Sequence, residues 1–62
     1  MAAGWAKGGI LEPGKRVRHP DRPDWGVGQV QSVIGPRVTA NFEHIGKILL
    51  DLRNVTLDTW EE

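Results

Sequence analysis

The clearest alternation of apolar and polar positions runs through Arg37-Val38-Thr39-Ala40-Asn41-Phe42. Val38, Ala40 and Phe42 point one way and Arg37, Thr39 and Asn41 the other, the period of a half-buried strand. Gly26 to Ile34 also reads as a strand, but its apolar side switches. Val30 and Ile34 share one parity, Val27 and Val33 the other. A bulge near Gly28 would reconcile them, because one extra residue flips the face register and glycine tolerates the geometry. Gly35-Pro36 supplies the turn between these two strands. After a short Glu43-His44-Ile45-Gly46 loop, Lys47 to Asp51 returns as the third strand of a meander.

Outside the meander the pattern is weaker. Lys15 to His19 has Val17 as its one strong inward residue and is short and charged, as edge strands often are. Pro20 and Pro23 forbid a regular ladder, which makes residues 20–25 a loop. Leu52-Arg53-Asn54 suits one 3-10 turn, Val55-Thr56-Leu57 a brief closing strand, and Asp58 to Glu62 a polar tail anchored by Trp60. No apolar repeat persists long enough for an amphipathic helix. The expected fold is all-β: a small five-stranded SH3-like (Tudor-like) barrel with one 3-10 turn before the last strand. A flexible N-terminal tail over residues 1–11 precedes the barrel, which spans residues 12–60.

Length and composition narrow the function. The chain of 62 residues makes one domain, and at that size about 60% of the unfolded surface is buried on folding. Without cysteine there are no disulfides and no thiolate zinc sites. The first fourteen residues lack the order of a secretory signal, and no apolar run is long enough to span a bilayer. A cytoplasmic monomer is expected. Net charge is zero but segregated: Lys7, Lys15, Arg16, Arg18, Arg22 and Arg37 outnumber three acids in residues 1–37, and acids dominate the remainder.

The stretch His19-Pro-Asp-Arg-Pro-Asp-Trp-Gly-Val-Gly28 concentrates the candidate chemistry. As a phosphate cradle it fails, lacking the third glycine and the following helix. His19, Asp21, Asp24 and His44 offer zinc-compatible ligand types, but their spacing matches no known cage, and both aspartates suit turns beside proline. Ser32 is the only serine, lies mid-strand and has no acid–base partner nearby, so no enzyme and no cofactor are expected. An aromatic cage for methyl-lysine needs more aromatics than a chain without tyrosine and with one phenylalanine provides. What is left is display: Arg16 and Arg18 on one strand face, Arg37 from the neighbouring hairpin, and Arg22, Asp24 and Trp25 on a stiff loop. Trp25 can cover one end of the core and still serve as an anchor.

"EPGKRVRHPDRPDWGVGQVQSVIG" followed by "RVTANFEHIGKILLD" resembles a family of very short bacterial proteins of unassigned function, over about residues 11–57. More distantly the chain is similar to the Tudor-like C-terminal domain of PcrA/UvrD-type DNA helicases. That likeness rests on Val17 and His19, on Trp25, Gly26, Gly28 and Val30, and on Phe42, Gly46 and Lys47. His19-Pro20 and Gly26-Val27-Gly28 resemble the RNA-polymerase-interaction domain of CarD-type regulators. The segment between His19 and Trp25 is longer here than in the helicase pattern. The resemblance implies a non-enzymatic protein-interaction module docking on RNA polymerase or transcription and repair machinery. Contacts would come from Arg16, Arg18, Arg22, Asp24, Trp25 and Arg37. The backbone of the first strand would be free to pair with a partner strand. Nucleic-acid binding through the basic first strand and loop is the alternative.

Overall fold

The computed structural model describes residues 3–62. Six strands form one antiparallel sheet: β1 (Gly4–Lys7), β2 (Arg16–Arg18), β3 (Gly28–Ile34), β4 (Arg37–Phe42), β5 (Gly46–Asp51) and β6 (Asp58–Glu61). Their spatial order is β1-β6-β2-β3-β4-β5. The sheet curls into a half-barrel around Val17, Val30, Val38, Ala40, Phe42, Leu50 and Leu57, all buried. Leu11, Trp25, Val33, Ile48, Leu52 and Val55 pack against that cluster.

The meander follows the alternation closely. In β4, Val38, Ala40 and Phe42 are buried, and they face Leu50, Ile48 and Gly46 of β5 in turn. The bulge in β3 lies between Val30 and Ser32 rather than near Gly28. Gln31 is the extra residue, which turns both Val30 and Val33 to the side of Ala40 and Val38 and leaves Ile34 exposed. Gly28 has a different duty. A Cβ there would lie 2.8 Å from the Phe42 ring, so the ring packs directly on its backbone.

Four further expectations are corrected. Six strands replace five, because residues 4–7 leave the expected tail and pair with β6, Trp5 opposite Trp60. Arg16–Arg18 is not an edge: β3 flanks it on one side and β6 on the other. The closing strand is Asp58–Glu61, not Val55–Leu57. Thr59 faces inward there, opposite Val17, with its hydroxyl donating to the Glu61 carboxylate at 2.7 Å. An inward polar residue satisfied in this way carries no apolar signal in the sequence. Finally, the 3-10 helix is Pro23–Trp25. Proline presets the required φ at its first position, and the Gly26 N–H closes it on the Pro23 carbonyl at 3.2 Å. Residues 52–54 form a turn instead, with the Asn54 and Val55 N–H groups both donating to the Asp51 carbonyl.

Candidate groove beside Arg18 and Trp5

The loop from His19 to Val27 is held by its own backbone. Arg22 N–H donates to the His19 carbonyl and Trp25 N–H to that of Arg22, both at 3.0 Å. Asp21 N–H donates to His19 Nδ1 at 3.2 Å, which gives the buried imidazole a partner. Gly26, at φ 77°, then makes the sharp entry into β3. A Cβ at Gly26 would strike His44 and Glu43 at 2.8 and 2.9 Å, so bulk as well as φ excludes other residues. The corner is stitched to the β4–β5 loop. Val27 N–H donates to Glu43 Oε1 at 2.8 Å, Glu43 N–H to the Val27 carbonyl at 3.0 Å, and His44 N–H to that of Trp25 at 3.1 Å.

Trp25 is half-buried and serves the core. Its ring meets His19 edge-on at 5.0 Å and Phe42 at 5.2 Å between centroids. Arg22 and Asp24 are exposed, and the Arg22 guanidinium carbon is 6.0 Å from the Trp25 ring centre. Arg22 and Asp24 thus face solvent, whereas the tryptophan is mostly committed inward.

The basic residues are not gathered into one patch. Arg18 Nε donates to Asp58 at 2.9 Å, and Lys15 pairs with Glu61 at 2.8 Å. The Lys15 ammonium, and after it the Thr59 hydroxyl, hold the Glu61 carboxyl below its usual range. Arg16 is exposed opposite Gln29, whereas Arg37 lies opposite Ile34 at the far end of the hairpin. Those two positions pair with Asn41 and Arg37 of β4, four strand steps apart, roughly 13 Å. Arg37 instead lies opposite Asp51 of β5, whose carboxyl Arg53 holds at about 2 through side-chain and then backbone hydrogen bonds.

Beside the corner runs a half-open groove of about 410 Å³, lined by Trp5, Arg18, His19, Pro20, Pro23, Gly26, Val27 and Glu43. Trp5 reaches it from β1 and packs edge-on against Trp60 at 5.3 Å. The Arg18 guanidinium lies over Trp5, 4.8 Å from the ring centre. Arg18 is thus the expected site residue that lines the groove. Trp5, Val27 and Glu43 join it without having been singled out. No local signal marks Trp5, since only its pairing across from Trp60 brings it there. Among the described residues no three His, Asp or Glu side chains converge as metal ligands, and no helix is long and apolar enough to cross a membrane.

No curated protein and no solved structure matches this chain. The family model described as "Protein of unknown function (DUF3553)" matches residues 11–60, everything from Leu11 through β6 except its last residue, and leaves β1 outside. By that match, the chain belongs to the DUF3553 family.

Proposed function

We propose that this protein is a non-catalytic protein-interaction module that receives its partner in the groove between Trp5, Arg18, Pro23 and Val27. The groove itself carries the reading: it combines an aromatic wall, two prolines and a partly exposed valine with a single arginine already neutralised by Asp58. Surfaces of that kind, apolar at the centre with an aromatic and an arginine, suit a protein partner. RNA polymerase, or the transcription and repair machinery around it, is the partner implied by the motif-level likeness to the helicase and CarD-type domains. The ion pairs at Arg18 and Lys15 weigh against nucleic acid, because phosphate binding draws on uncompensated positive charge.

Titration of purified bacterial core RNA polymerase into the isotopically labelled protein tests this reading. Shifts should concentrate on Trp5, Arg18, Pro23-flanking and Val27 signals, and Val27→Lys should weaken binding at least tenfold. Exposed Gln31, on the bulge of β3, should tolerate Gln31→Ala without loss. Absence of binding to polymerase, or binding indifferent to Val27→Lys, overturns the proposal. Binding to short DNA that falls steeply with salt would establish the nucleic-acid alternative in its place.

A further inference from the structure

His19 lines the groove as a residue almost wholly inside the protein, 8% exposed, with Trp25 edge-on against its ring. The backbone settles one of its nitrogens: the Asp21 N–H donates to Nδ1 at 3.2 Å. A ring nitrogen that accepts carries no proton, so in the neutral imidazole the proton sits on Nε2. That Asp21 bond is the imidazole's one hydrogen bond among the described residues, and nothing there accepts from Nε2–H. No fully buried side-chain nitrogen lacks a partner among the described residues. Nε2 lacks one and therefore reaches the surface, and the groove is the opening that His19 lines.

The surroundings say what the donor would meet. Trp5, Pro20, Pro23 and Val27 give the groove apolar walls. An occupant that covered Nε2–H with carbon alone would leave a desolvated donor unpaired, a penalty that selects for an oxygen at this point. Charge then chooses between kinds of oxygen. Arg18, the groove's arginine, already donates to Asp58, and the Glu43 carboxylate lines the same walls. A carboxylate would face Glu43 with no free cation to balance it, whereas a peptide carbonyl carries no such cost. We propose that His19 Nε2–H donates to a backbone carbonyl of an extended, uncharged segment whose apolar side chain packs against Trp5 and Val27. An extended segment is required because its carbonyls are unspent, unlike those of a helix. Asp21 acts here as a positioning residue, its N–H fixing which nitrogen bears the proton. The inference rests on the groove being the partner's site and adds what that partner must present.

Long-range proton–nitrogen correlation at about pH 8, above the ordinary histidine range, reads the tautomer directly. His19 should carry its proton on Nε2 alone; a proton on Nδ1, or an average of the two forms, overturns the proposal. Acetyl-alanyl-leucine methylamide, titrated to about 50 mM, should shift the His19 Nε2–H together with Trp5 and Val27 signals, saturably. The free acid of the same dipeptide should bind at least about threefold more weakly, as like charge at Glu43 requires. His19→Asn keeps an oxygen for the Asp21 N–H but has no donor at the Nε2 position. It should bind the methylamide about fivefold more weakly, the scale of one lost hydrogen bond, with the Arg22 and Trp25 amides still protected from exchange. Should that variant unfold, the wild-type Nε2–H shift decides. A methylamide that leaves Nε2–H unmoved, an acid that binds as tightly, or a folded His19→Asn that binds like wild type overturns the proposal. Polymerase binding abolished by Val27→Lys, with Nε2–H unmoved throughout, would keep the groove and remove the carbonyl. Dipeptide binding without polymerase binding would keep the carbonyl and remove polymerase as the partner.

Discussion

The Arg18 guanidinium lies 4.8 Å from the centre of the Trp5 ring while its Nε donates to Asp58 at 2.9 Å. One side chain therefore joins β2 to both strands beyond it, β6 through the carboxylate and β1 through the indole. Trp60 completes the contact from β6, directly across from Trp5 and on the same face of the sheet, edge-on to its ring.

Trp5→Ala should consequently destabilise the protein and not merely alter a tail. An aromatic edge pair contributes about 0.5–1.5 kcal/mol, and an exposed cation–π contact about 0.5–1 kcal/mol. Urea unfolding should show a loss of about 1–2 kcal/mol, with removal of residues 1–7 costing at least as much. An unchanged midpoint in both would mean that β1 contributes nothing to stability.

Gly28→Ala should be costly despite an extended backbone that any residue could adopt. Its methyl would enter the Phe42 ring at 2.8 Å, and overpacking of this kind costs about 1–3 kcal/mol. The double variant Gly28→Ala/Phe42→Leu should cost less than the sum of the two single changes. Strict additivity of the unfolding free energies would contradict the contact.

Trp25→Ala should destabilise more than removal of any other loop side chain between residues 20 and 25. The ring touches both Phe42 and buried His19, and truncating a packed aromatic costs about 3–5 kcal/mol when fully buried, less for this half-buried ring. Arg22→Ala and Asp24→Ala, both exposed, should change stability by less than about 0.5 kcal/mol. Thermal unfolding of the three variants separates a packing role from a display role.

Acid should weaken the fold through two carboxylates. Asp51 titrates at about 2 in the folded protein against 3.8 ordinarily, and Glu61 is also lowered, chiefly by Lys15. Depressed folded values mean that the unfolded chain takes up protons first as pH falls. The contribution is complete above the ordinary carboxylate range, declines as pH drops through it, and is gone below about pH 2 for Asp51. Denaturation at pH 7, 4 and 2 should show Asp51→Asn with a flatter profile than wild type. Added salt should narrow the difference, because both pairs are solvent-accessible. A parallel profile for the two proteins would disprove the assignment.

The meander was legible because its information is local. Val38, Ala40 and Phe42 declare their face by spacing alone, and the parity switch in Gly26–Ile34 demanded a bulge. The position of that bulge was not local: Gln31 protrudes because Val30 and Val33 must both meet β4, whereas the glycine that attracted the assignment is small for the sake of Phe42. Of the site, Arg18 and the stiff loop were readable from charge and proline. Trp5, Val27 and Glu43 were not, since they reach the groove from β1, the corner and the β4–β5 loop.

The sequence by itself determined an all-β domain, its central meander, its corner at Trp25–Gly28 and its lack of cysteine chemistry. Tertiary structure alone decided which strands are edges. Arg16–Arg18 looks like an edge by composition, yet β6 arrives from forty residues away in sequence and covers it, as the Arg18–Asp58 bond records. Strand order depends on pairings between distant segments, and inward residues such as Thr59 are stabilised by hydrogen bonds that hydrophobic periodicity does not register. Among the described residues the edges of the sheet are consequently β1 and β5, not the basic strand Arg16–Arg18.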